Sequence, residues 1–298
     1  MSTPEGSDLH QFFTETLSKY LSVVQAPRPN KDEWWASESD YCFRKRVLRR
    51  AGTPQLPVPL NSMMTREHGK MIEKIVGKAF QAHDVVRQGE IYLPEFKLRG
   101  HFDFLIFRDD ETVICVDAKS ANGQSFGFLT RRGSEGYRMQ NALYAHGIET
   151  NGYTLTAPGS VGDDKTDECV TQREPVKVDK VAIFVIDKEY GNPHTDEYDK
   201  ELYIKKAITD LREADKHWAQ YQDNGTLPPE TPMIAARSDN KHVKARRCAA
   251  GEMAPAGLCS PAYCGVIHAC PRIAAWWKTH GKFNLTLPKA AAKETQNG

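Results

Sequence analysis

No apolar run in the sequence approaches the roughly 18 residues that a membrane-crossing helix needs, so no span is expected. The opening MSTPEGSDLHQFF lacks the basic flank and apolar stretch of a secretory signal, which predicts a cytosolic protein. Charge of one sign is lacking too: 40 Lys+Arg against 39 Asp+Glu leave a net charge of +1, so a global basic excess cannot name a polyanionic partner. The seven cysteines are an odd number for a disulfide framework, and in a cytosolic chain clustered cysteines more often hold metal. There is no internal repeat and no low-complexity tract beyond the tail PKAAAKETQNG, which is expected to be disordered.

What charge there is comes in local runs. Arg44, Lys45, Arg46, Arg49 and Arg50 crowd one segment, and Arg237, Lys241, Lys244, Arg246 and Arg247 crowd another just before Cys248. Such runs can track phosphates, although most are solvated helix faces.

Periodicity predicts a helix over SDLHQFFTETLSKYLSVV, with Leu9, Phe12, Phe13, Leu17 and Leu21 on one face. A second helix is expected over SESDYCFRKRVLRRAG, with Ser37 and Asp40 in capping-box spacing and Gly52 as the stop. After the proline-rich TPQLPVPL, a long helix from Asn61 carries Met64, Met71, Ile72, Ile75, Val76 and Phe80 on a broad apolar face. Three strand-like runs follow, VVRQGEIYLP, KLRGHFDFLIF and TVICVDAKS, joined by short polar turns as an antiparallel meander would be. Next come a helix over SEGYRMQNALYAHGI, a surface excursion over residues 151–178, a buried strand KVAIFVID and a long helix starting at Asp196. The fold class expected is α/β or α+β, a mixed central sheet flanked by helices.

The strand runs pose a chemical question, because they carry ionisable groups into otherwise apolar segments, where an unpaired charge costs several kcal/mol (about 3–5). Residues two apart on a strand share a face, so Asp117 and Lys119 project together. If their strand pairs with the one before it, Asp103 falls opposite Asp117. Two carboxylates beside an ammonium suit Mg²⁺ or Mn²⁺ and the hydrolysis of a phosphodiester. Glu73 is the candidate third carboxylate and His68 its competitor. The bland alternative is an Asp and a Lys meeting solvent at a strand end.

GHFDFLI, VICVDAKS and MQNALY together resemble the PD-(D/E)XK nuclease superfamily and its RecB-like exonuclease branch, over roughly residues 60–190. The resemblance implies a restriction-endonuclease-like core in which Asp103 and Asp117 bind metal, Lys119 is the motif lysine, and GKMIE puts Glu73 at a ligand position. Gln140 and Tyr144 match the branch's Gln-x-x-x-Tyr motif, implying contact with the DNA strand or support of the site. The activity implied is a Mg²⁺- or Mn²⁺-dependent DNA exonuclease on single-stranded or end-bearing DNA, in recombination, repair, or phage- or CRISPR-related processing. A recombination or CRISPR partner protein and a homo-oligomer fit the same resemblance, and a phage-encoded chain would work in the host cytoplasm.

Four cysteines, Cys248, Cys259, Cys264 and Cys270, fall close together, a thiolate spacing that suits an iron-sulfur cluster or Zn²⁺. CRISPR-associated and phage-borne RecB-like nucleases carry a 4Fe-4S cluster on one cysteine before the core and three after it. By that resemblance Cys42, Cys259, Cys264 and Cys270 are the ligands. The spacing from Cys259 to Cys264 is longer than the family's pair, which leaves Cys248 as a substitute for Cys259. Cys115 is expected to be core, and Cys169 receives no role. Trp276 and Trp277 are expected to be buried, with stacking on unpaired bases the alternative. The expected organisation is an N-terminal helical part over 1–60, a nuclease core over 61–190, a C-terminal helical and cysteine part over 191–285 and a tail over 286–298. The competing readings are a catalytically silent DNA-binding or scaffold protein on the nuclease fold, and a zinc-binding protein without nuclease function.

Overall fold

The computed structural model describes residues 8–24, 32–39, 42–156, 170–230, 233–235, 253–255, 264 and 266–280. They belong to two compact units: one takes in the chain up to Lys31, Ala51–His68 and the chain from Pro229 on, the other Asp32–Arg50 and Gly69–Pro228.

The second unit holds two mixed five-stranded sheets. In chain order its strands are β1 (Trp34–Trp35), β2 (Asp84–Arg87), β3 (Glu90–Leu93), β4 (Leu98–His101), β5 (Phe104–Phe107), β6 (Val113–Ala121), β7 (Tyr153–Thr156), β8 (Val170–Arg173), β9 (Lys180–Asp187) and β10 (Pro193–Glu197). One sheet runs β1-β4-β3-β7-β8, the other β10-β9-β6-β5-β2. Within the second sheet β6 and β9 are parallel and the remaining pairs antiparallel.

The meander expected from three runs is thus five strands shared between two sheets. VVRQGEIYLP and KLRGHFDFLIF each break in the middle, and the pair forms one ribbon: β2 pairs with β5, β3 with β4. At the corner the Gln88 N–H donates to the Asp103 carbonyl at 3.1 Å and the Phe102 N–H to the Gly89 carbonyl at 2.9 Å, so pairing survives the bend. Gln88 supplies the turn with φ 54°. Gly89 leaves room for the Phe102 ring, which a Cβ there would meet at 2.2 Å.

The helices are α1 (Asp8–Val24), α2 (Phe43–Arg50), α3 (Leu60–Ala79), α4 (Gly123–Arg132), α5 (Glu135–Asn151), α6 (Lys200–Asn224) and α7 (Pro271–His280). Parity along β6 sorts the packing. Val113 and Cys115 join the main core with Met139, Leu143 and Ile148 of α5, whereas Ile114, Val116 and Ala118 meet Ile72 and Val76 of α3. Alternation on a strand therefore gives each sheet face its own helix.

Several sequence expectations are corrected. Cys42 immediately precedes α2, its carbonyl accepting from the Arg46 N–H at 3.2 Å; Ser37 lies in a short 3₁₀ turn, and Asp40 lies outside the described residues. Asp199 caps α6 through the Leu202 N–H at 3.0 Å, and Asp196 and Glu197, read as its start, belong to strand β10, paired to β9. Helix α4 was not anticipated in its glycine-rich segment; Asn122 caps it and Gly133, at φ 66°, ends it. The excursion after residue 151 contains the β7–β8 hairpin, and Cys169 lies outside the described residues. Phe12, Phe13 and Leu17 of α1 are exposed while Leu21 is buried, and Met71 and Ile75 of α3 are exposed too. In the first unit Trp276 and Trp277 of α7 are buried edge to face, their centroids 5.0 Å apart, as expected of core residues.

The basic run of α2 is turned inward. Arg46 is buried, with Nη1 2.5 Å from Asp210 Oδ2 and its guanidinium over the Trp34 ring. Arg50 lies between Trp34 and Trp218 and pairs with Asp32 at 2.7 Å, Arg49 pairs with Glu38, and Arg44 donates to the Pro228 carbonyl. These guanidiniums lock α2 to its own unit, which corrects their reading as a phosphate track. The second basic run, Arg237 to Arg247, lies outside the described residues, and no helix among those described is long and apolar enough to cross a membrane.

Candidate functional site

Pairing between β5 and β6 ends at Phe104 and Val116, yet β6 continues to Ala121 against β9 alone. The ribbon corner pulls β5 away there and, among the described residues, leaves one edge of β6 without a strand. Asp103 sits at this fork, opposite Asp117, and its Oδ2 accepts the Ala118 N–H at 2.8 Å. The carboxylate thus satisfies a backbone donor that the departing strand abandons, which fixes its orientation.

Asp117 is buried, and Lys119 Nζ lies 2.6 Å from its Oδ2, close enough for an ion pair although not aligned as a hydrogen bond. The Lys119 side chain is 22 % exposed and its ammonium faces the Tyr137 ring at 5.1 Å. Gln140 and Tyr144, one turn apart on α5, are both buried, and the Gln140 amide donates to the Tyr144 hydroxyl at 2.6 Å. The Tyr144 ring packs against Gly100, on the strand that leads to Asp103.

Glu73 projects from α3, one turn before Val76. Because α3 packs on the other face of β6, Glu73 reaches the aspartates around the open edge, where the Gln88 amide donates to its Oε1 and lies 3.4 Å from Asp103 Oδ1. His68 belongs to the other unit. Among the described residues no three of His, Cys, Asp and Glu are arranged as a metal-holding group.

The electrostatics follow from burial. Desolvation first, then the Asp117 carboxylate, push the Asp103 pKa up to about 8. Burial raises Asp117 as well, opposed by Lys119. Burial also raises Glu73, again opposed by Lys119. The neighbouring carboxylates hold Lys119 protonated, against the desolvation that would discharge it. Three acids face the Lys119 ammonium, with the Arg87 guanidinium also acting on Glu73, so full ionisation still leaves an excess of negative charge in a half-buried site. Hard oxygen donors with uncompensated charge are what Mg²⁺ or Mn²⁺ binds, and the residues present fit such an ion.

Two residues of the site carry no motif signal. Gln88 lies inside the strand-like run VVRQGEIYLP, where the one sign of a break is the Gln-Gly pair interrupting its alternation. Asn141 is buried in α5, its amide donating to the carbonyls of Cys115 at 3.2 Å and Ala182 at 3.1 Å and its Oδ1 accepting from the Cys115 thiol, so it clamps α5 to β6 and β9 beside the fork. Cys115 is a core residue, its thiol pushed up by burial.

Of the cysteines proposed for a cluster, Cys259 and its substitute Cys248 lie outside the described residues. Cys264 and Cys270 are buried; Cys270 ends the 3₁₀ turn Ile267–Ala269, the Cys264 carbonyl accepts from the Ile267 N–H at 3.3 Å, and Cys42 belongs to the other unit.

No curated protein matches the sequence. The solved structure described as "Crystal structure of SSO0001" is 11 % identical, covers 69 % of this chain and 88 % of its own, and superposes with a TM-score of 0.42. The family model of the PD-(D/E)XK nuclease superfamily matches residues 2–271, in agreement with the mixed sheets and flanking helices above. Since that match spans nearly the whole sequence, this chain belongs to the PD-(D/E)XK nuclease superfamily, whose members are metal-dependent nucleases.

Proposed function

We propose that the protein is a DNA exonuclease of the RecB-like branch, acting on single-stranded or end-bearing DNA in recombination, repair, or phage- or CRISPR-related processing. The observation that carries this reading is the convergence of Asp103, Asp117 and Lys119 where β5 leaves β6. Asp103 and Asp117, with Glu73 as third carboxylate, would hold Mg²⁺ or Mn²⁺. When bound, the cation supplies an activated water and stabilises charge on the phosphodiester.

The chain's own groups do the rest. Ala118 and Gln88 orient the carboxylates, and Asp117 keeps Lys119 charged and aimed at the position of the attacking water, where its ammonium stabilises developing negative charge. Tyr144, held by Gln140 and packed on Gly100, supports the strand that leads to Asp103. Cys42, Cys264 and Cys270, with Cys259 or Cys248, are proposed to carry a structural 4Fe-4S cluster, Zn²⁺ being the alternative. Sequence spacing supports this, and joining Cys42 to the C-terminal cysteines would close a loop of roughly 200 residues, a large entropic constraint on the unfolded chain.

The test compares linear with covalently closed single-stranded DNA, using anaerobically purified protein and Mn²⁺. The reading expects linear DNA to be degraded, circles to be spared, and the preparation to be brown from iron rather than colourless. Cleavage of circles at the rate of linear DNA would contradict exonuclease action, and a colourless, zinc-loaded active protein would remove the iron-sulfur cluster.

A further inference from the structure

Gln88 makes the link, among the described residues, between the helix carboxylate and the strand carboxylates. Its amide carries two N–H groups, of which one donates to Glu73 Oε1 while the nitrogen lies 3.4 Å from Asp103 Oδ1. The backbone beneath it is in the left-handed region at φ 54°, a conformation that strains a non-glycine residue. Asn or Gly would sit there with less strain. Strain of this kind persists where the surroundings over-determine it, and here the Gln88 N–H is fixed on the Asp103 carbonyl at 3.1 Å.

The side-chain type matters as much as the place. Lysine at this corner would neutralise the carboxylates and compete with a cation, and glutamate would add a fourth acid beside Lys119. A neutral amide can draw two like-charged groups together and leave their charge for the ion.

We propose that Gln88 is a positioning residue for the divalent cation, holding Glu73 toward Asp103 across the open edge of β6 so that all three carboxylates can close on one ion. This rests on the nuclease reading above, in which those carboxylates are the ligands. Groups that orient metal ligands typically alter metal affinity about 10- to 100-fold when removed.

The experiment is calorimetric titration of the full chain with Mn²⁺, without DNA, for wild type, Asp117→Ala, Gln88→Ala and Gln88→Asn, each checked by thermal melting. Gln88→Ala is expected to weaken Mn²⁺ binding by about 10-fold or more at an unchanged melting temperature. Gln88→Asn accommodates the left-handed backbone, but its amide is one methylene short of Glu73, so the same loss is expected. It also serves as the test should Gln88→Ala fail to fold. Wild-type Mn²⁺ affinity in both Gln88 variants, with binding lost in Asp117→Ala, overturns the role of Gln88 alone. Wild-type affinity in Asp117→Ala as well, or no Mn²⁺ binding by the wild type, overturns the ligand assignment and Gln88 with it.

Discussion

Burial and the neighbouring Asp117 carboxylate both oppose ionisation of Asp103, which therefore keeps its proton up to about pH 8 in the folded, metal-free protein. In the unfolded chain the same carboxyl loses its proton near pH 4. Between those values the folded state binds a proton that the unfolded state does not, so stability falls as pH rises through the window. Asp117 and Glu73, also raised, act in the same direction, while Lys119 titrates above it. In chelator, the melting temperature is expected to drop between pH 5 and pH 8, and Asp103→Asn should flatten that slope. A slope unchanged in the variant would show that Asp103 does not carry the linked proton. The pairing of residues 103, 117 and 119 was legible because period-two alternation and a short turn leave few other registers. Gln88 and Asn141 were not, because their roles depend on a corner and a helix contact far apart in sequence.

Among the elements, the helices and the buried strand β9 announced themselves by long, regular apolar patterns. The sheet division did not, since nothing in alternation distinguishes one long strand from two that bend in the middle. Only Gln88-Gly89 on one run and Asp103 on the other mark the place. Helix α4 and strand β10 escaped for a related reason: their residues are glycine-rich or polar, and tertiary pairing rather than propensity makes them what they are. In α3, Gly69 lies against Ser120 of β6, and a Cβ added there would stand 3.6 Å from Ser120 Oγ, an ordinary contact. Close packing therefore does not demand glycine at this position. Gly69→Ala is expected to stabilise the protein by about 0.5–1 kcal/mol in urea titration, the helix-interior cost of glycine. A loss of stability would mean that α3 approaches β6 more tightly than this spacing.

Across the whole molecule, the two basic runs had been the sequence's argument for a polyanionic partner. The α2 run is consumed by Asp210, Asp32, Glu38, the Pro228 carbonyl and the rings of Trp34 and Trp218, for a reason local sequence cannot show: the partners lie up to 184 positions away. The case for DNA rests on family membership and on the fork where three ionisable groups converge. That convergence makes the central claim testable in one assay. End-labelled DNA is incubated with anaerobically purified protein, with Mn²⁺ or Mg²⁺ and with chelator, beside the folded Asp117→Ala variant. The account predicts metal-dependent release of label by the wild type and a loss of at least roughly 1,000-fold in the variant, as expected when a group acting at the reacting centre is removed. Cleavage by Asp117→Ala at the wild-type rate, or none by the folded, metal-loaded wild type, would contradict it.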